Sequence, residues 1–152
     1  MMKRERSPLG LYVHIPFCRQ KCAYCDFYSL PHSEAKMDDY TAALLRHMEE
    51  VAPRASAHRV DTIYFGGGTP SYLGSRRLSK LLRTLRKRFD VSPAAEITLE
   101  ANPDSACDVK SLRALWAYSR RTTICSAPSG ASIPSGRCRN PSPPCVRRAS
   151  GT

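Results

Sequence analysis

The chain has 152 residues, 24 of them Lys or Arg and 13 Asp or Glu, for a formal net charge of +11. That length suits one domain with a real core, and 41% hydrophobic with 24% charged residues is ordinary for a globular fold. No run approaches the roughly 18 consecutive apolar residues of a membrane span, and MMKRERSPLG at the start lacks the apolar core of a secretory signal.

The charge is unevenly placed. Every acidic residue lies before position 109, while the segment from Ser119 onward holds six arginines and no acid. Without that segment the balance falls to 18 basic against 13 acidic residues. No patch interleaves basic and aromatic residues, so the composition argues against a nucleic-acid partner. Seven cysteines is an odd number, and three of them sit within eight residues. That is a ligand pattern rather than a disulfide framework, and it favours a reducing, cytoplasmic setting.

Residues 1–10 read as a disordered basic lead-in, with Pro8 near its end. Leu11 to Ile15 is a short apolar run with β-branched members, a buried strand stopped by Pro16. The cysteines follow at once, as C-x3-C-x2-C at Cys18, Cys22 and Cys25. After a coil from Leu30 to Ala35, a helix is expected at about Lys36 to Val51, with Tyr40, Leu44, Met48 and Val51 on one face. A second strand, Val60 to Phe65, ends in Gly66-Gly67-Gly68-Thr69-Pro70. The next helix, about Ser75 to Phe89, carries Leu78, Leu81, Leu82, Leu85 and Phe89 as a stripe, with Arg76, Lys80, Arg83 and Lys87 off it. Ala95 to Ala101 is a third strand, and a third helix begins near Asp108. This β-α-β-α-β-α order implies an α/β fold with parallel strands and crossover helices. Ligands in such sheets bind at the carboxyl ends of the strands, where the cysteines, the glycines and Glu100 all fall.

Three thiols at this spacing can hold one metal centre. A cubane iron–sulfur cluster held wholly by protein takes four thiolates, so three leave one iron open to a small molecule. A zinc site completed by His14 or His32 is the competing reading. Successive glycines let a ligand approach the backbone, and their amides can bind negative oxygens; a simple tight turn needs the same residues. Glu100 is either an ordinary strand-end carboxylate or an acceptor for a ribose diol. Core or loop packing is an open reading for Tyr12 and Tyr24, and on composition alone it is the favoured one for Tyr12.

Together, YVHIPFC-x3-C-x2-C, YFGGGTPSYL and ITLEANPDS resemble the radical S-adenosylmethionine family, in the branch of oxygen-independent coproporphyrinogen III oxidase and the heme chaperone HemW. The resemblance runs from about Leu11 to Trp116. It implies the N-terminal half, about three βα units, of a partial (β/α)6 TIM-like barrel. It also implies that Cys18, Cys22 and Cys25 ligate a 4Fe-4S cluster whose open iron binds S-adenosylmethionine. By the same resemblance Tyr12, Tyr24, Gly67, Gly68 and Thr69 contact the cluster or this cofactor, and Glu100 lies near its ribose. In the family, an electron from the cluster cleaves the sulfonium to methionine and a 5′-deoxyadenosyl radical. The oxidases carry a further cysteine two places after the third ligand. Here that place is Phe27, and Cys25-Asp26-Phe27-Tyr28 resembles the chaperone type. That type implies heme or a porphyrin, a heme-acceptor protein and an electron donor as partners.

The resemblance stops after Ala117. The expected divisions are thus the lead-in 1–10, the partial family domain 11–118, and a tail 119–152. The tail is rich in Ser, Pro and Arg, without apolar period, and reads as disordered. Back-translated in a shifted frame, Ser142 to Thr152 permits AALRAAGFRN, similar to a later helix-to-strand stretch of the family. An out-of-frame tail and an unstable, inactive product are therefore expected, with Cys125, Cys138 and Cys145 not ligands.

Overall fold

A period of two along the strands separates an apolar face from a polar one, and the sheet is built on that separation. The structure, a computed structural model, describes residues 6–21, 23 and 25–101, together with the backbone of 121–126. In chain order the elements are β1 (Ser7–Ile15), β2 (Phe17–Cys18), β3 (Leu30–Pro31), α1 (Met37–Val51), β4 (His58–Gly67), α2 (Ser75–Arg88), β5 (Val91–Ala101) and β6 (Arg121–Ser126). Single 3-10 turns at Glu34–Lys36, Ala52–Ala55 and Pro70–Leu73 join them.

Four strands form one parallel sheet in the order β1-β4-β5-β6. The expected α/β class with parallel strands is the class observed. Parallel neighbours need a crossover between them, and α1 and α2 supply the first two. The third helix expected near Asp108 lies outside the described residues.

On one face, Val13 and Ile15 of β1, Ile63 and Phe65 of β4, and Ile97 and Leu99 of β5 are buried. Leu78, Leu81, Leu82 and Leu85 of α2 close over them, all at 2% exposure or less. The stripe expected on α2 is therefore the buried one. On α1 the buried set is Met37, Thr41 and Met48, with Tyr40, Leu44 and Val51 only half-buried at the edge. Thr41 is tolerated inside because its hydroxyl donates to the Met37 carbonyl at 2.6 Å. Ion pairs from Arg77 to Asp38 at 2.8 Å and from Arg88 to Glu49 at 2.5 Å tie the two helices together at the surface.

Strand ends differ from expectation. β1 begins at Ser7, inside the stretch expected as lead-in, because Ser7, Pro8 and Leu9 pair with His58, Arg59 and Val60 of β4. Pro8, with no N–H to give, is placed on an outer strand of the described sheet, where its loss matters least. β6 falls inside the stretch expected as a disordered tail. Its Thr122, Thr123 and Ile124 are β-branched, and they pair with Ile97, Thr98 and Leu99 along the side of β5. Among the described residues no helix is long and apolar enough to cross a membrane.

Candidate cofactor site

The carboxyl ends of β1 and β4 lie level, Ile15 opposite Gly67, with Phe65 opposite Leu99 on the next pair. The chain leaves β1 at Pro16 and enters the cysteine loop, whose base is pinched shut. Phe17 and Cys18 pair with Leu30 and Pro31, and the Leu30 N–H donates to the Pro16 carbonyl at 2.6 Å. Within the loop, the Lys21 ammonium donates to the Phe27 carbonyl at 2.7 Å and to the Ser29 hydroxyl at 3.3 Å. Tyr40 anchors the loop from α1. Its hydroxyl donates to the His14 carbonyl at 2.7 Å, and its ring meets the buried Phe17 edge-on at 5.2 Å.

The glycine turn presses against this loop. The Gly68 N–H donates to the Ile15 carbonyl and the Thr69 N–H to the Phe17 carbonyl, each at 2.8 Å. A Cβ on Gly68 would stand 2.7 Å from the Phe17 oxygen and 3.0 Å from the Cys18 sulfur. Gly67 has φ +118°, and a Cβ there would meet the His14 ring at 2.6 Å. Both positions therefore demand glycine. The amides of Gly68 and Thr69 serve the fold itself, so close approach, rather than amide donation, is what Gly68 offers a ligand. Thr69 turns its hydroxyl towards the Cys18 sulfur at 3.7 Å.

Cys18 and Cys25 are free, partly exposed thiols. Partly exposed, and with the Cys18 sulfur against the side-chain-free Gly68, they suit thiolate ligation of a cluster. Cys22 and Tyr24 lie outside the described residues. His14, one candidate fourth ligand for zinc, has its Nδ1 3.1 Å from the Tyr12 hydroxyl and its ring against Gly67.

The polar face of the sheet continues from this rim. Tyr12, Tyr64 and Glu100 share it, as the period of two requires. The Tyr12 and Tyr64 rings stack at 6.0 Å with a 23° tilt. Glu100 accepts from the Tyr64 hydroxyl at 2.5 Å on Oε1 and from the Gly67 N–H at 3.2 Å on Oε2. Partial burial, and then the negative charge of Glu100, raise the Tyr12 phenol above its ordinary value of 10.0. The structure thus brings together Cys18, Gly67, Gly68 and Thr69, and joins Gly67 to Glu100. Tyr64 was not foreseen, although strand parity puts it on the same face as Glu100.

A family model described as the radical SAM superfamily matches residues 12–119. The chain belongs to that superfamily. It is 46% identical over 97 residues to the heme chaperone HemW of Escherichia coli, covering 63% of this chain and 26% of the relative. It is 43% identical over 102 residues to HemW of Mycobacterium tuberculosis, covering 65% of this chain and 26% of the relative. Oxygen-independent coproporphyrinogen III oxidase of E. coli is 38% identical over 97 residues, covering 63% of this chain and 21% of the relative. The chain therefore spans about a quarter of the length of these curated relatives. Among solved structures, coproporphyrinogen III oxidase (HemN) from E. coli, titled a radical SAM enzyme, superposes with a TM-score of 0.70 at 34% identity. That match covers 79% of this chain and 28% of the other.

Proposed function

We propose that Cys18, Cys22 and Cys25 hold a 4Fe-4S cluster whose open iron takes S-adenosylmethionine, in a cytoplasmic protein of the heme-chaperone type. The observation that carries this is the contact of the Cys18 sulfur with the glycine turn, itself bonded to Glu100 through the Gly67 N–H. When bound, the cluster supplies the electron and S-adenosylmethionine the cleavable sulfonium.

The chain's own residues contribute position and shape. Gly68 leaves room beside the Cys18 sulfur that any side chain would fill. Glu100 offers two carboxylate oxygens to hydroxyl donors, and the stacked Tyr12 and Tyr64 rings make a flat apolar wall beside it. Tyr12, Tyr24 and Thr69 complete the cofactor's surroundings in this reading.

Phe27 at the place of the oxidases' further cysteine supports the chaperone type over the oxidase, as do the higher identities to HemW. Heme, an acceptor protein and an electron donor are then the partners. Anaerobic loading with iron and sulfide, followed by added heme, tests the reading. About four irons per chain, lost in Cys18→Ala, a Soret band shifted from that of free heme, and no porphyrinogen decarboxylation are expected. Stoichiometric zinc in place of iron would overturn it, and decarboxylation would move it to the oxidase class.

A further inference from the structure

Tyr64 has the position of a side chain that sets the orientation of another. It leaves β4 on the polar face, 38% exposed, and its ring passes over Gly66. A Cβ on Gly66 would meet the Tyr64 ring at 2.6 Å, and Glu100 Oε1 and the Tyr12 ring at 3.2 Å each. The first glycine of the turn is thus the floor on which Tyr64 crosses to Glu100. Tyr12 stacks beside the ring and borders the same glycine. With Tyr12 and Gly66 limiting the ring, the hydroxyl reaches Oε1 at 2.5 Å, the distance of a charge-assisted bond to a carboxylate. Gly67 holds Oε2 at 3.2 Å from the backbone.

We infer that Tyr64 is a positioning residue for diol recognition. With the Gly67 N–H it clamps the Glu100 carboxylate by both oxygens, so that the free lone pairs face a vicinal diol. A carboxylate has about four acceptor sites, and the clamp takes one on each oxygen, leaving one on each for a hydroxyl. An unclamped glutamate would have to lose rotamer freedom at each binding event. The clamp removes that loss in advance, and the ligand class it serves is a ribonucleoside with both hydroxyls present. This inference rests on the reading of Glu100 as a ribose acceptor.

Equilibrium dialysis of the cluster-loaded chain against S-adenosylmethionine and its 2′-deoxy and 3′-deoxy analogues tests it, with no turnover involved. Wild type should prefer the diol ligand. Tyr64→Phe should weaken binding of that ligand about tenfold, the scale of the rotamer freedom an unclamped glutamate must lose, and leave the deoxy analogues within about twofold. General loosening would instead weaken all three equally, and that result would overturn the proposal, as would unchanged preference in Tyr64→Phe. Glu100→Gln separates the two levels. If it abolishes the preference while Tyr64→Phe does not, only the clamp fails. If it leaves the preference intact, the ribose reading of Glu100 fails and the clamp with it.

Discussion

The two faces of one sheet follow different rules. Within β1, Val13 and Ile15 point into the helix-covered core, whereas Tyr12 and His14 point to the open face one residue away. The covered face is specified by volume and apolarity, which many sequences satisfy. The open face is specified atom by atom. Gly66, Gly67 and Gly68 are each pressed by a different neighbour, and Glu100 is held at both oxygens. A sheet can therefore be stabilised from one side while the other is left for chemistry.

Removing core volume should give the largest effect. Leu81→Ala, at 0% exposure beneath the sheet, should destabilise the chain by about 2–5 kcal/mol in urea titration. By contrast, Glu100→Gln, which gives up about one hydrogen bond on the open face, should lower stability by only about 1 kcal/mol and act mainly on ligand affinity. A matching loss in both variants would erase the distinction between the faces.

Next comes Gly67→Ala, which adds a Cβ at φ +118° against the His14 ring. About 1–3 kcal/mol of strain is expected from the backbone alone. Pairing it with His14→Ala should recover only the ring's share, since the φ penalty stays. Full recovery would mean that contact with His14, and not backbone conformation, demands glycine.

Tyr40→Phe removes the hydroxyl that holds the His14 carbonyl and should cost about 1 kcal/mol. The same phenol gives a pH dependence. Burial, and then the charges of Tyr12 and Tyr28, raise Tyr40 above its ordinary value of 10.0, as burial and then Glu100 raise Tyr12. A raised phenol contributes stability that is whole below pH 10 and is lost as pH climbs through the folded-state value, because only the unfolded chain ionises freely. Urea midpoints should thus hold steady to about pH 9 and then fall, less steeply in Tyr40→Phe.

Much of this was legible in the sequence, for identifiable reasons. The α2 stripe was read correctly because five apolar residues at helical spacing admit one burial face. The lengths of β1 and β4 were not, since Ser7 and Gly67 join strands through pairing across the sheet, which local propensity does not record. Nor was β6 legible, because three β-branched residues in a Ser- and Arg-rich stretch become a strand only beside β5. At the site, glycine and cysteine spacing pointed to the rim where Cys18, the glycine turn and Glu100 meet, but the use of the amides depended on carbonyls at Ile15 and Phe17. Tyr64 could have been found by counting parity back from the glycines.

At the centre stands the proposed iron left open by three cysteines. Its most direct test is the electron paramagnetic resonance spectrum of the reduced, anaerobically reconstituted chain, recorded with and without S-adenosylmethionine. A cluster signal is expected whose g values shift when S-adenosylmethionine is added, with the shift diminished in Glu100→Gln. A cluster signal that S-adenosylmethionine leaves unchanged at saturating concentration would contradict it.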